Sequence, residues 1–128
     1  MKIPLESQFH LKAKVIIINL ISDYVIKQLS LIALLLINRT VLKTKRIFKM
    51  MRELIIFLNH SRDTYKEYQS LSEHIEKILS LINSLDELVH DDHVSNSQLL
   101  NEFDKIQIQI KTLNSHYFIN QTQALGAS

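Results

Sequence analysis

The sequence predicts an all-α fold: a compact antiparallel bundle of about four helices, closing in a C-terminal helical hairpin. Three observations predict it. Only one glycine (Gly126) and one proline (Pro4) occur, both near the ends, and a β-rich chain would need many tight glycine turns. Apolar residues recur at alternating three- and four-residue steps, the signature of one face of a helix. Hydrophobic residues make up 46% of the chain, enough to exclude compositional disorder and to build one core from 128 residues. A single domain over residues 1–120 follows, with a small polar tail over 121–128 expected to be flexible.

The first helix is expected over residues 6–38. From Val15 to Ile37 it is mostly Val, Ile and Leu, and its polar residues Lys12, Asn19, Asp23, Lys27 and Ser30 form one narrow stripe. A helix this apolar is either buried or in lipid. Residues 15–37 are long enough to span a bilayer. Their aliphatic side chains gain about 0.3 to 0.6 kcal/mol each on insertion, while Asp23 and Lys27 cost roughly 2.5 to 3.5 apiece, so the sum lands near zero. The continuous polar stripe favours one wet edge of a helix inside a soluble bundle.

A second helix over residues 41–59 carries Ile47, Met50, Leu54 and Phe57 at core spacing. A third, over 63–91, carries Tyr68, Leu71, Ile75, Ile78, Ile82, Leu85 and Val89, a coiled-coil-like heptad seam. Between them, "NHSRDT" (Asn59–Thr64) is either a polar layer in one long helix or a break. Unbroken, the helix would run about 75 Å, leaving too little chain to cover it. A break is expected, with Thr64 and Glu67 as a capping box. The fourth helix, over 96–119, carries Leu99, Phe103, Ile106, Ile110, Leu113 and Tyr117. Ser95 with Gln98 is its capping box, and Val94 with Leu99 fits a hydrophobic staple.

The turn before that cap, "DELVHDDH", packs four carboxylates and two histidines into eight residues. Glu87, His90, Asp91 and His93 offer the oxygen and nitrogen donors that suit zinc, iron or nickel. With Val89 on the seam, however, Glu87, His90 and Asp91 face outward, whereas bundle metal sites collect their ligands inward. The reading is a wet turn, with these four at most a surface site. No catalytic or cofactor-binding residue is nominated. Absent cysteine excludes disulfides, thiolate metal sites and a cysteine nucleophile, and no glycine-rich loop is available to cradle phosphate.

Net charge is only +2, yet residues 1–52 carry ten Lys/Arg against two acids, and residues 53–104 three against eleven. The charge-polarised halves could neutralise one another within one bundle or meet different partners. The basic run Arg39–Arg52 holds six cations and no acid: Arg39, Lys43, Lys45, Arg46, Lys49 and Arg52. Such an amphipathic run suits anionic lipid, or nucleic acid held through phosphates without base reading. The function expected is therefore non-catalytic: an adaptor, inhibitor or regulatory subunit that binds another protein or its own copy. Membrane association through residues 15–37 with a basic cytoplasmic flank is the alternative, and nonspecific nucleic-acid binding a further one. With no signal-peptide layout at the N-terminus, a cytoplasmic place is expected, or the inner face of a membrane.

Overall fold

The computed structural model describes the backbone of residues 5–126 and the side chains of residues 10–123. Four helices fill it: α1 Leu5–Leu36, α2 Val41–Thr64, α3 Gln69–Val89 and α4 Asn96–Gly126. Each packs on the next and α4 returns to α1, so the four form a ring, while α1 and α3 touch lightly across the diagonal. The short connections impose the up-down-up-down order. Cross-helix contacts fit it: Tyr24 lies against Phe57, Phe48 against His90, and Arg39 reaches Asn96. The α1–α2 and α3–α4 turns thus share one end of the bundle, and the α2–α3 turn lies at the other.

Each helix turns one row inward. On α1 the row is Ile18, Ile21, Val25, Leu29, Ile32 and Leu36; on α3 it is Leu71, Ile75, Ile78, Ile82, Leu85 and Val89. On α4, Leu99, Phe103, Ile106, Ile110 and Tyr117 are buried as the spacing requires, with Leu113 half-buried. On α2 the buried row is Ile47, Met51, Leu54, Leu58 and Ser61. The expected Met50 and Phe57 flank that row instead of leading it, because two overlapping apolar rows ran side by side in the sequence. Tyr68, expected to open the α3 seam, is 43% exposed at the helix start.

The turns carry local reasons. The chain leaves α1 through Asn38, at φ 52°, a left-handed position that asparagine tolerates better than other side chains. Thr40 then caps α2 by accepting from the Lys43 amide at 3.1 Å. Ser95 and Gln98 form the reciprocal capping box, at 3.2 and 2.8 Å, that starts α4.

Two expectations are corrected. "NHSRDT" does not break the chain: α2 continues to Thr64, and the turn falls at residues 65–68. Asn59, Ser61 and Thr64 each donate to the carbonyl four residues back, at 3.0, 2.9 and 2.8 Å, which keeps polar side chains inside a helix. No Thr64–Glu67 box forms, since α3 starts later with no side-chain cap. In addition, α4 runs past its expected end at 119 to Gly126; residues 127 and 128 lie outside the described residues.

Candidate functional site

Three places in this bundle hold more than the fold requires. The first is polar and buried. Ser22 on α1, His74 on α3 and Asn114 on α4 all occupy core-row positions, and His74 is 3% exposed. Asn114 donates from Nδ2 to Ser22 Oγ at 2.8 Å, which turns its Oδ1 toward His74 Nε2 at 2.7 Å. An amide oxygen only accepts, so Nε2 carries the proton and Nδ1 keeps the lone pair. Burial pushes the His74 pKa down; the Asn114 bond opposes that shift, and nearby Lys77 reinforces it. The ring is therefore neutral, packed against Tyr117 at 4.6 Å.

Beside this relay, an open cleft of about 300 Å³ lies between α3 and α4, lined by Ser70, Glu73, His74, Lys77, His116 and Tyr117 among others. Burial raises the Tyr117 hydroxyl pKa, with Ser70 offsetting part of the rise. Among the described residues that buried hydroxyl has no partner in full hydrogen-bond geometry, although Ser70 lies close enough to lower its pKa. The Asn114 amide separates Ser22 from the imidazole, so His74 does not take the Ser22 proton directly. The relay's two hydrogen bonds join α1, α3 and α4 at one level through buried polar atoms.

The second place is the basic run, whose six cations divide. Lys43 Nζ donates to the carbonyls of Ile37 and Asn38 at 3.1 and 3.4 Å, closing the end of α1. Arg39 donates to Thr44 at 2.8 Å and to Asn96 at 3.4 Å, bridging the two turns at that end. Lys45, Arg46, Lys49 and Arg52 are exposed, and among the described residues Lys49 is the one of these with an ion pair, to Glu53 at 3.9 Å. The acidic turn lies at the same end of the bundle, yet no ion pair joins it to the basic run among the described residues. The ion pair across α2 and α3 lies toward the far end, Arg62 to Glu76 at 2.6 Å.

In that acidic turn, Glu87, His90, Asp91 and His93 are all exposed and do different things. His90 Nδ1 donates to the Asp86 carbonyl at 2.9 Å while its ring stacks on Phe48 at 4.1 Å. Asp91 accepts from the His93 amide at 2.9 Å, a turn-closing bond. No group of three His, Asp or Glu side chains suited to a metal ion occurs among the described residues.

The third place is the outer face of α1. The polar stripe Lys12, Asn19, Asp23, Lys27 and Ser30 is exposed along it. Beside the stripe runs a second apolar row: Ile16 57% exposed, Leu20 66%, Leu31 43% and Leu34 63%. Tyr24, half-exposed, sits on the α2 side of the row against Phe57. Ile37, Val41 and Leu42 extend the exposed surface into the basic end. The segment His10–Leu36, 27 residues at mean hydropathy 1.6, is long and apolar enough to cross a membrane, and 33% of its most apolar window is buried in the bundle.

No family model, characterised protein or solved structure matches the chain.

Sequence reasoning missed the relay. The signal was present as polar residues at core steps: Ser22 follows Ile18 by four and precedes Val25 by three, and Asn114 sits likewise between Ile110 and Tyr117. His74 lies three after Leu71 and four before Ile78. What periodicity could not supply was the level at which the helices meet, which brings residues 92 and 40 positions apart into one network.

Proposed function

We propose that this is a non-catalytic interaction protein, of the adaptor, inhibitor or regulatory-subunit kind, that docks through the outer face of α1. One observation carries the reading: the exposed row Ile16, Leu20, Leu31 and Leu34, four aliphatic side chains that take no part in the core. Covering one such aliphatic side chain is worth about 1.5–3 kcal/mol when it becomes fully buried. The row makes two exposed apolar clusters, Ile16 with Leu20 and Leu31 with Leu34, on either side of Asp23 and Lys27, and clustered apolar side chains suit a binding face better than scattered single ones. The flanking stripe of Asn19, Ser30 and Lys12 supplies the polar rim that interfaces carry.

The test uses the absence of cysteine. Leu20→Cys and Leu34→Cys are made singly and labelled with a membrane-permeant thiol reagent in cells, and again after purification and dilution. Shielding in cells that disappears on dilution is the expected result. Equal, fast labelling in both settings would end the reading.

A second reading, membrane association, is favoured by the length and hydropathy of His10–Leu36 together with exposed Lys45, Arg46, Lys49 and Arg52 just beyond it. It ranks lower because Asp23 and Lys27 sit in the middle of the face that lipid would have to cover. Alkaline extraction followed by flotation separates the two: retention with floated membrane supports the second reading, release the first. Nucleic-acid binding by the same four cations ranks below both, since exposed Val41, Leu42 and Ile56 bracket them and confine the cationic face to about two helical turns.

A further inference from the structure

The outer row of α1 is complementary to itself. Ile16, Leu20, Asp23, Lys27, Leu31 and Leu34 fall within roughly 80° of arc at 3.6 residues per turn. Their spacing is symmetric about the level of Val25. Ile16 and Leu34 stand nine residues to either side, and Asp23 and Lys27 two; Leu20 at five is matched by Leu31 at six. Reversing the helix end for end therefore places apolar ends on apolar ends and exchanges Asp23 with Lys27. Both charged residues are exposed, and neither forms an ion pair with any described residue of its own chain. Parallel pairing would instead set Asp23 on Asp23 and Lys27 on Lys27, an arrangement like charges oppose.

We infer that the partner for this face is a second copy of the chain, paired antiparallel through α1 about a two-fold axis at the level of Val25. The inference rests on the proposal that the row docks protein, and it names the occupant. A two-fold contact must use the same patch on both copies, with each residue meeting the other's counterpart. The row meets that demand with two apolar clusters and two Asp23–Lys27 contacts at the centre. A lipid surface would leave the same two charges uncompensated, and a partner of unrelated sequence would have no reason to match their mirror placement.

The experiment is sedimentation equilibrium on the full chain in four samples: wild type, Asp23→Lys, Lys27→Asp, and an equal mixture of the two variants. Both substitutions are on exposed positions, so folding is not at stake. Wild type is expected to dimerise and each variant alone to weaken association by about tenfold or more, through two like-charge contacts. The mixture is expected to regain it as a mixed dimer, because the doubly cationic centre of one variant would then face the doubly anionic centre of the other. Independently, an equal mixture of Ile16→Cys and Leu34→Cys chains should form a disulfide-linked dimer that neither chain forms alone. A wild type that stays monomeric at its highest soluble concentration would overturn the inference, as would charge variants that dimerise like wild type, or a mixture that fails to regain association. A monomer that floats with anionic vesicles would overturn it in favour of lipid. If the wild type is monomeric but the Leu20→Cys and Leu34→Cys chains stay shielded in cells, self-pairing fails while docking to another protein stands. If they are open in both settings, both readings fail.

Discussion

Helix α1 buries six apolar side chains in the core and α3 seven, Leu79 included, but the two helices differ on the opposite side. From Gln69 to Val89, α3 exposes no large apolar side chain, and its outer face is Glu, Lys, Ser and Asn. In α1, Ile16, Leu20, Leu31 and Leu34 are exposed along that outer face. Both helices meet two neighbours in the ring and use one inward row to do it. The fold thus needs a single row per helix, and the second row on α1 is surplus to it. A solvent-exposed aliphatic row gives the monomer almost nothing, whereas a covered one gives a complex its driving force.

The inward rows should respond most to substitution. Leu29→Ala removes a fully buried side chain from the inward row of α1 and should cost about 2–5 kcal/mol in urea unfolding. A smaller loss, about 1–3 kcal/mol, is expected from Asn114→Ala, which strands the His74 Nε2–H and the Ser22 hydroxyl without partners. Thermal unfolding at neutral pH is the measurement. A drop within error would mean that water replaces the amide and that the relay pins nothing.

His74 makes the α3 side of the contrast sensitive to pH. Its folded pKa lies below the ordinary 6.5 because burial disfavours the imidazolium. As pH falls below 6.5 the unfolded chain takes up a proton that the folded chain refuses, so stability is complete above it and declines toward the folded pKa. The decline can reach at most about 1.4 kcal/mol per pH unit for one proton. His74→Gln keeps an N–H donor for Asn114 but does not titrate, and should flatten that part of the stability profile. An unchanged slope in the variant would place the pH dependence elsewhere. The smallest effect belongs to the surface: Lys49→Ala breaks only an exposed 3.9 Å pair with Glu53 and should change stability by about 0.5 kcal/mol or less.

The bundle was legible because its turns and rows are written locally. The Ser95–Gln98 box and the α3 and α4 rows follow from spacing alone, and no glycine or proline interrupts them. On α2 the spacing selects Met50 and Phe57 where the core takes Met51 and Leu58, because each pair offers adjacent apolar candidates. Residue type points to a break at 59–64, ahead of the turn at 65–68, since Asn, Ser and Thr favour turns unless they bond back along the helix, as these do. The polar stripe of α1 was legible, but the apolar row beside it was not. In a helix apolar nearly all round, sequence cannot say which rows its neighbours will cover.

Whether α1 carries one row for folding and another for a partner can be read from urea unfolding of Leu20→Ser/Leu34→Ser, at a concentration too low for wild-type association. Stability within about 0.5 kcal/mol per site of wild type, with an unchanged slope, is the expected result for surface positions. A loss of several kcal/mol would contradict the two-row division, because Leu20 and Leu34 would then belong to the core and no row would remain for a partner.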